Sequence, residues 1–502
     1  MTDLSAAPDR TAPLARVFAW NWPLILLVAL IGVVIAGTVV YPTYSNYDTT
    51  YSLLWGRELL QGDTPSFEAY RAPTQHPLAV LVGAVFSLFG YLGDRLFVLL
   101  MLAAFVVLVM GLYRLGRSAF TTLVGLIAAV IVCTRFDFPF LAARGYIDVP
   151  FLALVIWAAV LEVERPRRGR PVLWLLMLAG LLRPEAWVLS GIYWLWLLPR
   201  RTWRERLGDA LIVASAPLIW AGLDYGVTGD PLYSQNHTSG LAEELGRSKG
   251  VGEVPHAMVT FMRALVKLPV AIAGIAGIGI AAVLAPSRLR VPLALILAGL
   301  LTFVMVGAAG LSVISRYLLA PSLMVMVFAA VAIGGWTMLA PSRLRTGWMV
   351  VAGLAVVFAV TWTALRVNVS QLTTELRQRG DARVGLKHLL DQDQVKAALA
   401  CGPVLTPNHR LIGDVRWIMD LPEGKVIARS DTGSAAGIDY GLAIVPAWRA
   451  RVLRQGFDLT NVTVADTLAA APPPGWKRIG VSEFYAAYAR CPTAAGAGSA
   501  SG

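Results

Sequence analysis

The sequence carries little charge for its length. Of its 502 residues, only 15% are Asp, Glu, Lys or Arg, whereas 57% are hydrophobic and the mean hydropathy is +0.63. A soluble domain keeps about 25% charged residues, most of them on its surface. The composition therefore excludes an ordinary soluble enzyme and an intrinsically disordered chain. It indicates a membrane protein with several spanning helices.

Cysteine and histidine are also scarce. The three cysteines exclude a disulfide-rich scaffold, and the five histidines show no spacing typical of metal ligands, so we predict no metal site. The sequence has no Walker phosphate-binding loop, no HExxH motif, no GxSxG motif and no dinucleotide fingerprint. These absences argue against nucleotide-dependent enzymes and the common hydrolases.

The positive charge is concentrated in short breaks between apolar runs. There are 43 Lys and Arg residues against 31 Asp and Glu, a net charge of +12. Arginines occupy the N-terminus, at Arg10 and Arg16, and the breaks at 114–117, 165–170, 200–206, 288–290 and 343–345. Because cytoplasmic loops are enriched in Lys and Arg, we interpret this charge as a signal of membrane orientation and not of nucleic-acid binding.

The apolar runs predict an α-helical polytopic membrane protein with about eleven spans. These spans cover about 19–41, 94–113, 119–135, 149–163, 171–183, 185–198, 207–225, 265–284, 291–310, 317–338 and 347–366. With the arginine-rich breaks inside, the N-terminus is cytoplasmic and the C-terminus is extracytoplasmic. The run 77–90 is short for crossing the hydrocarbon core, so we predict that it lies at the outer interface.

Three polar regions then face the outside, namely the loops 42–93 and 226–264 and the tail after residue 366. We predict that residues 1–366 form the membrane domain and residues 367–492 a small extracytoplasmic α/β domain, followed by a disordered end at 493–502.

Short apolar runs in the tail, at 402–405, 425–428 and 440–446, alternate with Gly, Pro and Asp residues, which indicates strands. Cys401 and Cys491 bracket this region. An extracytoplasmic location favours a disulfide between them, and two unrelated free thiols are the alternative.

Asp48 follows the first span in a stretch where Tyr51, Trp55 and Leu59 recur at helical spacing. A carboxylate at the membrane edge, beside a partly desolvated aromatic surface, is suited to act as a general base. The alternative is that Asp48 caps a helix over 49–60.

Further ionisable residues fall on the same predicted side of the membrane. They precede or interrupt apolar runs at Arg71, His76, Asp148, Arg183, Glu185 and Arg316. The planar fork of arginine binds phosphate through paired hydrogen bonds, so the arginines and His76 are candidate phosphate ligands. The alternatives are snorkelling arginines at the interface and an ordinary proline-punctuated loop around Arg71 and His76.

In their order and sidedness, these residues resemble the motifs of integral-membrane C-type glycosyltransferases, the GT-C fold. The resemblance covers residues 1–366 and is greatest to the bacterial branch related to protein O-mannosyltransferases and aminoarabinose transferases, of an actinobacterial type. It is carried by the segments 47–62, 74–78, 144–148, 181–185 and 316–321.

The resemblance implies transfer of a sugar, with inversion, from a polyprenyl-phosphate donor to a hydroxyl of a lipid, glycan or protein acceptor. The reaction would take place at the extracytoplasmic face of a bacterial plasma membrane, in cell-wall or other envelope biosynthesis. Asp48 would be the general base. Arg71, His76, Arg183 and Arg316 would bind the donor phosphate, and Asp148, Glu185 and Tyr47 would orient substrate groups.

Two questions stay open at this point. Many members of the family carry a second acid where this sequence has Thr49, so a divalent cation is possible but is not indicated by the residues.

The alternative function is a transporter or flippase of lipid-linked sugars. Transporters often show inverted repeats and polar groups at mid-membrane. This sequence shows no clear inverted repeat, and its polar groups lie at one edge, which favours the glycosyltransferase.

Overall fold

A computed structural model gives the fold of residues 21–244, 250–365, 369–447 and 469–492. The predictions made for Arg10, Arg16 and the end at 493–502 lie outside these residues. The described chain is mostly helical up to residue 365 and then forms a small mixed α/β unit.

Sixteen α-helices lie in the described part of the chain before residue 366. They are α1 (Trp22–Val40), α2 (Tyr47–Gln61), α3 (Pro77–Ser87), α4 (Gly93–Ala119), α5 (Thr122–Thr134), α6 (Asp137–Ala143), α7 (Asp148–Glu164), α8 (Arg170–Gly180), α9 (Glu185–Leu197), α10 (Trp203–Thr228), α11 (Tyr233–Glu244), α12 (Val254–Val266), α13 (Leu268–Leu284), α14 (Pro286–Ala308), α15 (Leu319–Gly334) and α16 (Arg343–Ala364). Short 3-10 helices flank several of them, at Gly90–Leu92, Leu198–Arg200, Val251–Glu253, Ser315–Leu318 and Gly335–Met338.

Every predicted span coincides with a helix, and the chain is a multi-pass membrane protein. Among the described residues, six helical stretches are long and apolar enough to cross a membrane, and two bent helix pairs raise the total to at most eight. The predicted count of about eleven is not confirmed. The reason is length, since α7, α8 and α9 have only 17, 11 and 13 residues.

The predicted loop 226–264 is more ordered than its polar sequence indicates. It contains α11 and most of α12, and the chain bends by 99° between α12 and α13. The bend follows from the sequence at Lys267, which has a positive φ of 63°, and from the proline in the first turn of α13. Proline is favoured in a first turn because its nitrogen needs no hydrogen-bond partner there.

The arginine-rich breaks meet at one end of the helix bundle. Arg114, near the end of α4, contacts Glu164 at the end of α7, with an N–O distance of 2.6 Å. Arg288, in the first turn of α14, donates to the backbone oxygen of Ala119 at 3.5 Å. The ends of α4 and α7 and the start of α14 therefore lie together.

Asp209 joins two further breaks to the same end. Its buried carboxylate contacts Arg170 at 3.2 Å and Arg201 at 3.3 Å. We call this region the arginine end, and it is formed by the breaks 114–117, 165–170, 200–206 and 288–290. Helix α7 connects it to Asp148, which lies at the opposite end of the bundle.

The first predicted outer loop folds around two closely packed helices, α2 and α3. At their contact, a Cβ added to Gly83 would lie 2.2 Å from the backbone oxygen of Ser52, and one added to Gly56 would lie 2.2 Å from the backbone nitrogen of Ala84. The two backbones can approach this closely only because neither glycine carries a side chain.

In its described residues, the C-terminal unit is a five-stranded mixed sheet with helices packed on it. Its helices are α17 (Val369–Leu390), α18 (Asp393–Ala397) and α19 (Ile412–Met419), and its strands are β1 (Val404–Thr406), β2 (Val426–Ala428), β3 (Gly441–Pro446), β4 (Lys477–Val481) and β5 (Tyr485–Arg490). The order is β2-β1-β3-β5-β4. Strand β1 runs parallel to β2 and β3, and β5 runs antiparallel to β3 and β4. The pairing of β4 is irregular between Arg478 and Gly480.

A single apolar core holds this unit together. Leu389 of α17, Val404 of β1, Leu442 of β3 and Ala487 of β5 are almost completely buried in it. Cys401 and Cys491 form a disulfide with a Cα–Cα distance of 4.6 Å, so the residues before β1 are tied to the end of β5.

Replacing Gly83 by Ala tests the contact between α2 and α3. The added methyl group would overlap the backbone of Ser52, and overpacking of this kind costs about 1–3 kcal/mol. We expect a lower unfolding midpoint in detergent. Gly222→Ala, on the open face of α10, is the matched control and should leave the midpoint unchanged or raise it, since alanine favours helices. Equal midpoints for the two variants would contradict the contact.

Candidate active site

A cavity of about 1140 Å³ lies at the end of the bundle opposite the arginine end. It is enclosed by the first turns of α2 and α9, the C-terminal parts of α10 and α14, and the C-terminal unit. Seven of the residues predicted from sequence line it, namely Tyr47, Asp48, Arg71, His76, Arg183, Glu185 and Arg316. Asp148, the eighth, lies directly behind them and is fully buried.

Asp48 is available to a substrate because another residue caps its helix. Asn46 is the N-cap of α2, and its side-chain oxygen accepts a hydrogen bond from the Thr49 nitrogen at 2.9 Å. The alternative interpretation of Asp48 as the cap is therefore wrong. Asp48 lies in the first turn, its side chain is 18% exposed, and Oδ2 contacts Arg316 at 3.3 Å.

Asp48 belongs to a chain of alternating charges. Arg316 contacts both Asp48 and Asp148, with a distance of 3.4 Å between its Nε and Oδ1 of Asp148. Arg183 also binds Asp148, and it contacts Glu185 at 2.6 Å. Removing either arginine would leave a buried carboxylate without full compensation, which costs about 3–5 kcal/mol for a buried pair. The charges therefore hold each other in place.

Arg71 and Tyr47 form a second part of the cavity wall. The Arg71 backbone has a positive φ of 52°, and its oxygen accepts a hydrogen bond from the Tyr47 hydroxyl at 2.9 Å. The Arg71 guanidinium contacts Glu244 of α11 at 2.7 Å. Tyr47 thus fixes the backbone from which Arg71 reaches the cavity.

His76 is buried just before α3, with its ring edge-on to Trp220 at 5.7 Å between centroids. Burial lowers the pKa of His76 to about 4, since an apolar environment disfavours the imidazolium. Its Nδ1 has no hydrogen-bond partner among the described residues. The ring is therefore neutral at pH 7 and offers a substrate a hydrogen bond but no positive charge.

The C-terminal unit supplies part of the cavity wall that sequence reasoning missed. These residues are Arg379, Arg383, His409, Arg410 and Tyr485. The His409 ring packs edge-on against Tyr47 at 5.6 Å between centroids. The sequence around them contains no motif that indicates a site, and their position depends on how the unit docks.

The unit docks on the C-terminal half of α2. Arg416, which is 1% exposed, forms an ion pair with Glu58 and donates to the Ser66 hydroxyl at 3.1 Å. The neighbouring residue, Arg57, forms an ion pair with Asp420 and lies over the Trp417 ring at 5.5 Å. Helix α2 therefore carries Asp48 at one end and the docking contacts at the other.

A second contact is made by Arg383 of α17, which reaches Asp94 at the start of α4 at 2.9 Å and also pairs with Asp414. Burial raises the pKa of Asp414, although Arg383 opposes this change.

Within the described residues, no group of three or more His, Cys, Asp or Glu side chains is placed to hold a metal ion. The guanidinium of Arg316 lies instead between the two acids, Asp48 and Asp148.

One side of the cavity is apolar. It is lined by Trp187, Val188, Leu218, Met305, Val306 and Leu311, from α9, α10 and the region around the end of α14. Leu218 is 66% exposed and Met305 is 48% exposed. Because α10 and α14 are apolar helices long enough to span a membrane, the exposed side chains on this side of the cavity are suited to contact lipid.

Two crystal structures of ArnT from Cupriavidus metallidurans are similar to this chain over almost its whole length. The structure bound to undecaprenyl phosphate matches 93% of this chain and 98% of its own, with a TM-score of 0.55 and 12% identity. The apo structure matches 94% and 98%, with a TM-score of 0.56 and 13% identity. This chain has the ArnT fold. No protein-family model matches the sequence, and no curated protein sequence does.

At this level of identity the likeness establishes the fold alone. It confirms the GT-C architecture predicted from the sequence motifs. The branch related to protein O-mannosyltransferases and the actinobacterial type stay predictions.

The pKa of His76 predicts a pH dependence of stability. The folded pKa of about 4 lies below the ordinary value of 6.5, so the unfolded chain takes up the proton first as the pH falls. Stability should decline by about 3 kcal/mol from this group between pH 6.5 and pH 4. We expect His76→Gln to reduce the fall of the unfolding midpoint between pH 7 and pH 4.5. His256→Gln, at an exposed histidine, is the control. An identical fall in both variants would contradict the assignment.

Proposed function

We propose that this protein is a glycosyltransferase that moves a sugar from a polyprenyl-phosphate donor to an acceptor hydroxyl. The observation that carries the proposal is the composition of the cavity, in which buried carboxylates and guanidiniums meet an apolar side that is suited to contact lipid. A lipid phosphate needs both environments, since its head requires cations and its chain requires apolar contacts. The ArnT crystal with undecaprenyl phosphate supports the same partner for this chain.

The cavity residues can divide the chemistry between an acid–base end and a phosphate end. Asp48 takes the proton from the acceptor hydroxyl, whose oxygen forms a bond to the anomeric carbon of the sugar. The bond from that carbon to the phosphate oxygen breaks, and the phosphate leaves with the electron pair. Attack opposite the leaving group inverts the configuration. Arg316 and Arg183 stabilise the charge that develops on the phosphate.

Arg316 links the two ends of this reaction. In the structure its guanidinium is shared between Asp48 and Asp148. A donor phosphate bound at Arg316 would compete with Asp48 for the same N–H groups. Donor binding would therefore release the Asp48 carboxylate to accept the acceptor proton.

The other predicted residues take supporting parts in this proposal. Arg71 adds a cation from another part of the cavity wall, and His76 offers a neutral hydrogen bond to the donor. Asp148 and Glu185 orient the two central arginines, and Tyr47 fixes the backbone of Arg71. No step requires a metal ion, because Arg316 supplies the positive charge between the two acids.

The arginine end supports an extracytoplasmic site. The breaks rich in arginine lie at one end of the bundle, and the cavity lies at the other. Because arginine-rich loops stay in the cytoplasm, this arrangement favours a cavity on the outer face of the plasma membrane. The disulfide between Cys401 and Cys491 favours the same location, since disulfides persist in oxidising compartments.

Asp48→Asn tests the proposed base. Purified protein would be mixed with radiolabelled polyprenyl-phosphate sugars, and release of free polyprenyl phosphate would be measured. Removing a general base reduces the rate by about 10²–10⁴-fold, so we expect a loss of this size with expression unchanged. Asp63→Asn, at an exposed acid in the same outer segment, should retain activity.

The same assay separates the transferase from a flippase. Binding of lipid-linked sugar without any turnover by the wild type, unchanged in Asp48→Asn, would contradict the proposal and support transport of the lipid.

Cysteine labelling tests the orientation. Intact cells would be treated with a membrane-impermeant maleimide after introduction of Asp63→Cys, beside the cavity end, or Arg204→Cys, at the arginine end. We expect rapid labelling of the first variant only, and labelling of the second after the membrane is permeabilised. The reverse pattern would place the cavity in the cytoplasm and contradict the proposed location.

A further inference from the structure

The arginine end carries more arginine side chains than its carboxylates pair with. The segments 162–170 and 200–209 contain eight arginines and four carboxylates. All four carboxylates bind other groups, because Glu164 contacts Arg114, Glu205 contacts Thr202 and Arg201, Asp209 contacts Arg170 and Arg201, and Glu162 accepts from the Arg167 backbone. Four exposed arginines remain, and none forms an ion pair with a described residue: Arg165, Arg168, Arg200 and Arg204.

The turn that presents two of these arginines is firmly held. The buried carboxylate of Glu162 accepts hydrogen bonds from the backbone nitrogens of Arg167 at 2.8 Å and Arg168 at 3.4 Å. Arg167 has a positive φ of 59°, and its guanidinium lies 4.4 Å from the centre of the Trp196 ring. The turn is therefore fixed before any partner binds, and Arg165 and Arg168 flank it on the exposed side.

The two segments form one surface. Arg170 of the first and Arg201 of the second share the carboxylate of Asp209. The packing is tight at Gly169, where an added Cβ would overlap the guanidinium of Arg201. The two segments that carry the exposed arginines are therefore in direct contact.

The surface also adjoins a helix of membrane-spanning length. Helix α10 begins at Trp203, within the second segment, and is long and apolar enough to cross a membrane, so the exposed arginines lie near the end of a span, where lipid headgroups meet the protein. Next to the arginines, Trp203 is 73% exposed and Leu207 is 53% exposed. Tryptophan is enriched where the hydrocarbon core meets the headgroups.

We propose that Arg165, Arg168, Arg200 and Arg204, together with Trp203, bind the phosphate of an anionic phospholipid in the leaflet at the arginine end. The guanidiniums match the negative headgroup, and the exposed indole and leucine match the adjoining acyl region. A nucleic acid or a soluble anion has no acyl chain to contact the exposed apolar side chains beside the arginines. The proposal is independent of the reaction in the cavity.

Lipid titration of the full-length protein tests this surface. Phosphatidylglycerol or phosphatidylcholine would be added to protein in neutral detergent, and the unfolding midpoint would be followed by tryptophan fluorescence. We expect phosphatidylglycerol to raise the midpoint, with an effect that weakens as salt is added, and phosphatidylcholine to have little effect. The variant R165Q/R168Q/R204Q should need at least about tenfold more phosphatidylglycerol for half of the effect.

The matched control removes the same charge from other breaks. R117Q/R290Q/R343Q changes three exposed arginines and should shift the half-saturating concentration less than about twofold. R165K/R168K/R204K keeps the charge and should bind close to the wild type, which separates lipid binding from misfolding. Equal losses of phosphatidylglycerol affinity in the two Gln variants would show that the effect is general electrostatic attraction. That result would overturn the proposal. Equal stabilisation of the wild type by phosphatidylcholine, or by inorganic phosphate, would also overturn it.

Discussion

The pairing of buried Asp148 with two arginines is the interaction on which the cavity depends. Asp148 starts α7, whereas Arg183 precedes α9 and Arg316 precedes α15. A fully buried carboxylate is tolerated only when it is compensated, so three segments that are distant in sequence must meet at one point. In the proposed reaction, the same guanidiniums would lie where charge develops on the leaving phosphate. An arrangement fixed by folding needs little reorganisation during the reaction, which is the main advantage of electrostatic preorganisation.

Helix α2 connects this charge cluster to the C-terminal unit. Its first turn carries Asp48, its middle buries Tyr51 and Trp55, and its second half carries Arg57 and Glu58. The last two residues bind the C-terminal unit, and that unit closes the cavity above Asp48. A shift of the unit would therefore be transmitted to the carboxylate through a single short helix. Because of this coupling, the C-terminal unit is part of the candidate site and not an independent domain.

Sequence reasoning grouped the membrane residues that line the cavity because each residue outside a span can lie on only two sides of the membrane. Once arginine-rich breaks are assigned to one side, Asp48, Asp148, Arg183 and Arg316 must gather on the other, and local patterns are sufficient. The contact of Glu58 with Arg416 joins residues 358 positions apart and leaves no local pattern, so the part of the wall formed by His409 and Arg410 was missed.

The strands also differ in whether a local sequence pattern predicts them. The apolar runs of β1, β2 and β3 were predicted, whereas β4 contains charged residues and β5 is rich in alanine, which favours helices in isolation. Pairing with β3 in the folded sheet overrides that local preference. The predicted count of about eleven spans is not confirmed, because α7, α8 and α9 have only 17, 11 and 13 residues and are short for helices that cross a membrane alone.

The position of β4 at the rim of the sheet has a consequence for how copies of the protein coexist. An unpaired strand is a template for pairing with a neighbouring molecule, and proteins confined to a membrane meet each other often. Strand β4 begins with Lys477 and Arg478 and is irregular before Gly480. Like charges and a distorted backbone oppose the alignment of two such strands. At the other rim, β2 has only three residues and offers little to pair with. The sheet therefore resists self-association at high surface density.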